Sequence, residues 1–81
     1  MKNAKELFKE LGYRVDFDKE YTKRYICATP YGSYTVTFKK NKKQLFIGGD
    51  FKDYKEYIHY QGRDKFIIAI KTQIKELNWG D

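Results

Sequence analysis

The chain begins with helical spacing of its apolar side chains. Residues 4–11 place Ala, Leu, Phe and Leu at positions i, i+3, i+4 and i+7, which predicts one short amphipathic helix. Asn3 followed by Glu6 has the spacing of a capping box, with asparagine in the Ser/Thr position. Gly12 follows directly, where a left-handed residue is expected to end the helix because glycine has no Cβ to clash.

After Gly12 the period of the pattern changes to two. Residues 13–18 alternate between apolar and polar side chains, which predicts a half-buried strand. Arg14 and Asp16 then point to the polar side of this strand. The residues expected on its apolar side are Tyr13, Val15 and Phe17.

Three further strands are predicted before residue 50. Residues 24–29 are rich in β-formers and lead into a Pro-Tyr-Gly sequence that suits a type I turn with a following bulge. Residues 33–39 alternate again, and a lysine-rich stretch turns the chain, with Asn41 the residue expected at positive φ. Residues 44–47 form the next strand, which a pair of glycines ends.

Residues 50–62 permit two interpretations. The aromatic and β-branched content of residues 57–61 favours an edge strand there. The alternative is a helix, because several apolar residues of the segment have approximate helical spacing. These are Phe51, Tyr54, Tyr57 and Ile58.

A second amphipathic helix closes the chain. Asp64 is placed to cap it, and its apolar residues share one face at a period near 3.6. Ile68 falls on the opposite side, and Trp79 returns to nearly the same angle if the helix reaches that far. The residues predicted for the buried stripe are Phe66, Ile67, Ile70, Ile74 and Leu77.

This order of elements predicts an α+β fold in one domain, residues 1–81. An antiparallel sheet of three to five strands lies between an N-terminal and a C-terminal helix, and both helices cover the same sheet face in a two-layer arrangement. The other face would be exposed to water. We expect it to carry Arg14, Asp16, Thr35, Thr37, Lys39 and Phe46.

Charge and cysteine content narrow the class of protein. The net charge of +6 permits binding to nucleic acid, an anionic surface or an acidic protein. The single Cys27 cannot form an internal disulfide, and the first residues are charged where a secretory signal has an apolar run. No apolar stretch approaches the roughly 20 residues that span a bilayer. We therefore expect a cytoplasmic protein that does not insert into membranes.

Two short motifs resemble those of a group of small uncharacterised phage and prophage proteins of Gram-positive bacteria. Residues 11–13 read "LGY" after the first helix, and residues 69–79 read "AIKTQIKELNW". Asn78 stands where that group usually has glycine before the tryptophan. The resemblance implies a mobile-element origin, an accessory role and the cytoplasm of a bacterial host, and it implies no catalytic residue.

The residue inventory gives little support for catalysis. Cys27 and His59 are each single, and we interpret them as a packing residue and part of an aromatic surface rather than as a nucleophile pair. Two acidic sets, residues 16–18 and 50–56, could hold a divalent ion weakly, but they lack the ligand count and glycine placement of calcium loops. We predict no catalytic residue, no metal site and no cofactor, and hence a protein that is not an enzyme.

Two binding surfaces remain as hypotheses. A protein partner from host or phage is the first, because tyrosine is frequent in interface cores. Its candidate residues are Phe51, Tyr54, Tyr57 and Tyr60, with Ile68 and Trp79 as a second patch that could serve a homodimer. Nucleic acid is the alternative, bound by a lysine-rich hairpin tip and the open sheet face. Its candidate residues are Arg14, Lys39, Lys40, Lys42, Lys43 and Phe46.

Overall fold

Five antiparallel strands form one open sheet, and helices cover one of its faces. The computed structural model describes residues 2–79. Each strand pairs with the next along the chain, so the sheet order is β1-β2-β3-β4-β5. The predicted α+β architecture is confirmed. In chain order the elements are α1 (Ala4–Glu10), β1 (Arg14–Asp18), β2 (Thr22–Thr29), β3 (Gly32–Lys39), β4 (Gln44–Ile47), β5 (Asp50–Asp53), α2 (Lys55–Ile58) and α3 (Lys65–Glu76).

The core lies between the sheet and the two longer helices. Phe8 of α1 stacks on Tyr25 of β2 with ring centroids 4.1 Å apart, and the Phe38 ring meets both edge-on. Burying aromatic rings supplies much of the hydrophobic stabilisation of a domain this small. The buried apolar residues are Ala4, Phe8, Tyr25, Val36, Phe38, Leu45, Tyr54, Ala69, Ile70, Ile74 and Trp79.

One polar contact crosses this core. The hydroxyl of Tyr25 donates a hydrogen bond to Oε1 of Gln73 on α3, and both residues are almost completely buried. Burial raises the pKa of the Tyr25 phenol, and the nearby Glu76 carboxylate raises it further, so the hydroxyl keeps its proton. Glu76 in turn accepts a hydrogen bond of 2.7 Å from the Ala4 amide at the start of α1. These bonds connect α3 to both the sheet and α1.

Helix α1 begins and ends as its sequence predicts. The Asn3 side chain accepts a 2.8 Å hydrogen bond from the Glu6 amide, and Gly12 has a φ of 91°. The amide of Tyr13 donates to the Phe8 carbonyl (2.9 Å), and the amide of Gly12 donates to the Lys9 carbonyl. This pair of bonds is a Schellman motif, which satisfies carbonyls that the helix end would leave without partners.

Helix α3 begins at its Asp64 cap and ends with the same motif. The Trp79 amide donates to the Ile74 carbonyl (3.2 Å), the Asn78 amide donates to the Lys75 carbonyl (3.0 Å), and Asn78 has a φ of 59°. The left-handed residue reverses the chain, so Trp79 folds back between Phe38 and Tyr54. Asn78 therefore takes the place that glycine has in α1.

Several local predictions are wrong. Residues 57–61 are not a strand, because the fifth strand is Asp50–Asp53 and a short helix, Lys55–Ile58, follows it. Asn41 is not the residue with positive φ in the lysine-rich turn; that residue is Lys43, with a φ of 53°. Trp79 is 3% exposed rather than on the outer side of α3, since the helix ends before reaching it.

Phe17 also differs from its prediction. The register pairs Val15 with Tyr25 but Phe17 with Arg24, so Asp16 is an extra residue in β1. Such a bulge inverts the alternation beyond it. Phe17 therefore lies with Arg24 on the open face of the sheet, whereas Val15 lies on the core side.

No helix among residues 2–79 combines the length and the apolar character that crossing a membrane requires.

We expect Tyr25→Phe and Gln73→Met each to lower the free energy of unfolding by about 1–3 kcal/mol, because each leaves a buried polar group without its partner. The double variant should lie within about 1 kcal/mol of the unaltered protein, because no unpaired group remains. Urea denaturation of the four proteins measures this cycle. Additive losses in the double variant would show that the two groups do not depend on each other.

We expect Asn78→Ala to lower the free energy of unfolding by about 1–2 kcal/mol, since alanine carries the full steric penalty of the left-handed conformation. Asn78→Gly should be neutral or stabilising. Thermal unfolding followed by fluorescence of Trp79, the single tryptophan of the chain, reports both stability and burial of the ring. Lys75→Ala, one turn earlier and exposed, is the control and should change stability by less than about 0.5 kcal/mol.

Candidate nucleic-acid interface

The open face of the sheet carries one residue from each strand in a continuous row. The cross-strand pairs join Phe17 to Arg24, Arg24 to Thr37, Thr37 to Phe46 and Phe46 to Phe51. Adjacent strands are about 4.8 Å apart, so these side chains are neighbours across the whole width of the sheet. We call Phe17, Arg24, Thr37, Phe46 and Phe51 the open-face row.

Arg24 is held at one side of this row by three contacts. Its Nε donates to Oγ1 of Thr37 (3.3 Å), a guanidinium nitrogen lies 3.5 Å from the Asp16 carboxylate, and the guanidinium carbon lies 4.8 Å from the centre of the Phe17 ring. The ammonium of Lys19 lies 5.3 Å from the same ring centre. The bulge therefore supplies a ring that positions two cations.

Two rings form the other side of the row. Phe46 and Phe51 meet edge to face at 5.1 Å, and Phe51 is 61% exposed. A shallow depression of about 230 Å³ on this face is lined by both phenylalanines, Thr37, Arg24 and Lys39. Aromatic faces and positive charge thus line one concave surface.

The six predicted nucleic-acid residues have three different locations: the open face, an ion pair and a turn. Lys39 and Phe46 line the depression, and Arg14 is exposed on β1 of the same face. Lys40 is a structural residue instead: its ammonium donates to the Asp18 carboxylate (2.6 Å) and to the Lys19 carbonyl (2.7 Å). This hydrogen bond lowers the pKa of the Asp18 carboxyl, with Lys23 adding to the effect.

The remaining two lysines occupy the turn between β3 and β4. Lys42 is exposed, and Lys43 places its ammonium 5.9 Å from the centre of the Tyr54 ring. The hairpin tip therefore does not present four equivalent free charges. Of these four lysines, Lys39 lies on the open face, and Lys42 is an exposed charge in the adjoining turn.

Neither of the two predicted protein-binding patches forms one exposed surface. Tyr54 and Trp79 are buried in the core and are unavailable to a partner in this fold. Tyr57 is half-buried against the core, whereas Ile68 and Tyr60 are partly exposed on the helical side. Phe51 joins the open-face row.

Arg24 and Phe17 are the site residues that sequence reasoning missed. Arg24 immediately precedes the buried Tyr25 in β2, so its outward orientation could be deduced once that strand was assigned. Phe17 carried no such signal, because the extra residue in β1 appears only in the pairing with β2.

The two single residues considered for catalysis lie in unlike surroundings. Cys27 is half-buried on β2 beside Gly12, whereas His59 is exposed at the end of α2. Among residues 2–79, no three His, Cys, Asp or Glu side chains are grouped so that they could hold a metal ion.

Comparisons with protein-family models, curated proteins and solved structures find no match to this chain. Its own geometry must therefore support any functional proposal.

We expect Lys40→Ala to lower the free energy of unfolding at neutral pH by about 0.2–1 kcal/mol, the range for ion pairs that water partly reaches. Because the pKa of Asp18 is lowered in the folded state, this contribution is present above the ordinary Asp value of about 3.9 and is lost as the pH falls below it. Urea denaturation at neutral pH and near pH 3 measures the change. Lys42→Ala is the matched control; an equal effect of both substitutions at neutral pH would contradict a special role for Lys40.

Proposed function

We propose that the protein is a non-catalytic binding protein that holds single-stranded nucleic acid on its open sheet face. The observation that carries this proposal is the depression on the open face, which is lined by two aromatic residues, Phe46 and Phe51, and two basic residues, Arg24 and Lys39. A nucleotide is itself an aromatic ring joined to an anion, so one unit can satisfy both sides of the depression. Acidic peptides offer the charge but lack a ring at every unit.

Stacking on the exposed ring would supply the base contact. Phe51 is the more exposed of the two rings in the Phe46–Phe51 pair. Stacking of one base on an aromatic side chain contributes about 1–3 kcal/mol of binding free energy. In a duplex the flat faces of the bases are already stacked on one another and are not available to a protein side chain. The proposal therefore favours single strands.

Phosphates would be neutralised by basic side chains on either side of the row. Arg14 lies beyond the row towards one end of the strands, and Lys39 and Lys42 lie towards the other. The net charge of +6 favours approach of a polyanion from a distance. The affinity we expect is modest and strongly dependent on salt.

We further propose the setting that the resemblance implies, which is an accessory role in a phage or prophage within the bacterial cytoplasm. The motifs "LGY" and "AIKTQIKELNW" support this origin. Nucleic acid is a better-supported partner than the protein expected from the sequence, because two of the candidate protein-interface residues, Tyr54 and Trp79, are buried. A protein partner remains a second candidate, for which a different surface provides the support.

The test is a titration of labelled single-stranded DNA and RNA of about 12 nucleotides, and of matched duplexes, at two salt concentrations. We expect saturable binding of the single strands at low salt. Phe51→Ala should weaken it by about 5- to 150-fold, the equivalent of one lost base stack. Lys39→Gln should weaken it and reduce the log–log salt slope by about 0.7.

Tyr31→Ala is the matched control, since it removes an exposed ring far from the row. Thermal unfolding of each variant confirms that it folds. No saturable binding below about 100 μM at low salt would overturn the proposal, as would equal losses for Phe51→Ala and Tyr31→Ala.

A further inference from the structure

The hairpin of β2 and β3 extends beyond both neighbouring strands. Pairing of β1 with β2 reaches no further than Ile26, and pairing of β3 with β4 reaches no further than Val36. The two hairpin strands nevertheless remain paired as far as Thr29 and Gly32. We call this projecting part, residues 27–35, the hairpin arm.

The hairpin arm is uncharged in a chain that is rich in charge. Asp, Glu, Lys and Arg make up 35% of the chain, yet none lies between Arg24 and Lys39. Tyr31 at the tip is 97% exposed, and Tyr34 is 61% exposed. Interface cores are depleted of charged residues and enriched in tyrosine, so the arm has the composition of an interface rather than of an ordinary solvated hairpin.

The β3 edge of the arm lacks a neighbouring strand. Strand β4 ends at Ile47, and Gly48 and Gly49, with φ values of 59° and 88°, turn the chain back into β5. Residues 32–35 of β3 are thus paired only with β2. In an antiparallel strand, alternate residues direct their N–H and C=O groups to either side, so this edge presents unpaired main-chain groups.

A cavity lies beside the same edge. It has a volume of about 390 Å³ and is bounded by the rings of Tyr13, Tyr34 and Phe66, by β3 and by the glycine turn. Its volume falls within the range of sites that bind small ligands or bulky side chains. The edge and the cavity adjoin each other, because β3 residues line the cavity.

We propose that the free edge of β3 binds an extended, uncharged segment of a partner protein as an added strand, with one large apolar side chain in the cavity. Only an extended polypeptide presents N–H and C=O groups at strand spacing, which excludes nucleic acid and lipid as ligands of the edge. The uncharged arm favours an uncharged segment. In this mode, main-chain hydrogen bonds provide affinity and the side-chain cavity provides specificity. The proposal is independent of nucleic-acid binding, since it uses none of the open-face row.

The experiment selects binders of the full chain from a displayed library of random peptides of about seven residues. The probe is the selected peptide made synthetically and labelled. We expect these peptides to carry a large apolar residue and to bind at least about tenfold more weakly to Tyr34→Ala. Phe51→Ala is the matched control and should bind them unchanged. N-methylation of one of the two alternating sets of peptide amides should abolish binding to the unaltered protein, whereas the other set, which faces away from β3, should tolerate it. This contrast tests strand addition even if an arm variant fails to fold.

Amide hydrogen exchange supplies the direct structural measurement. In the complex, at least one amide among Ser33, Tyr34 and Thr35 should exchange more slowly than in the free protein. Several outcomes would overturn the proposal: no enriched peptide, binding that tolerates N-methylation of either alternating set of amides, equal losses for Phe51→Ala and Tyr34→Ala, or protection confined to other strands. A dimer in solution that Ser33→Lys dissociates would also overturn it, because the edge would then be occupied by a second copy of this chain.

Discussion

Tyr25 is the residue on which the arrangement of the two layers depends. Its ring is buried between the sheet and α1 by stacking on Phe8, and its hydroxyl must find a partner because water cannot reach it. Gln73 of α3 is that partner. A single side chain in the second strand therefore fixes both longer helices on one face, through an apolar contact with one helix and a polar contact with the other.

This arrangement leaves the other sheet face to solvent and so determines where a ligand can bind. The two longer helices cover only the core side, and β1, β3 and β4 place Phe17, Thr37 and Phe46 outward in register with Arg24. The hairpin arm is exposed for a different reason: β2 and β3 extend beyond the ends of the neighbouring strands β1 and β4. The two proposed surfaces share no residue, so binding at one need not obstruct the other.

Sequence periodicity predicted α1, α3, the first four strands and the covered face because each depends on a pattern within one segment. Periodicity did not predict the features that depend on how one segment of the chain packs or pairs with another. The bulge at Asp16 is visible only in the pairing with Arg24 and Tyr25, and it moved Phe17 from the expected core to the candidate site. Trp79 was misplaced because its predicted angle assumed a longer helix, whereas Asn78 ends the turn and reverses the chain.

Two short motifs, residues 11–13 and 69–79, have a structural role in this chain. "LGY" contains Gly12 and Tyr13, which close the Schellman motif of α1, and "ELNW" ends in Asn78 and Trp79, which close that of α3. In both helices a left-handed residue directs an aromatic ring back onto the core. Tyr13 packs partly buried against Phe8, and Trp79 is buried against Phe38. Because these residues end helices and pack on the core, both motifs contribute to folding, and neither contains a residue of the open-face row or of the hairpin arm.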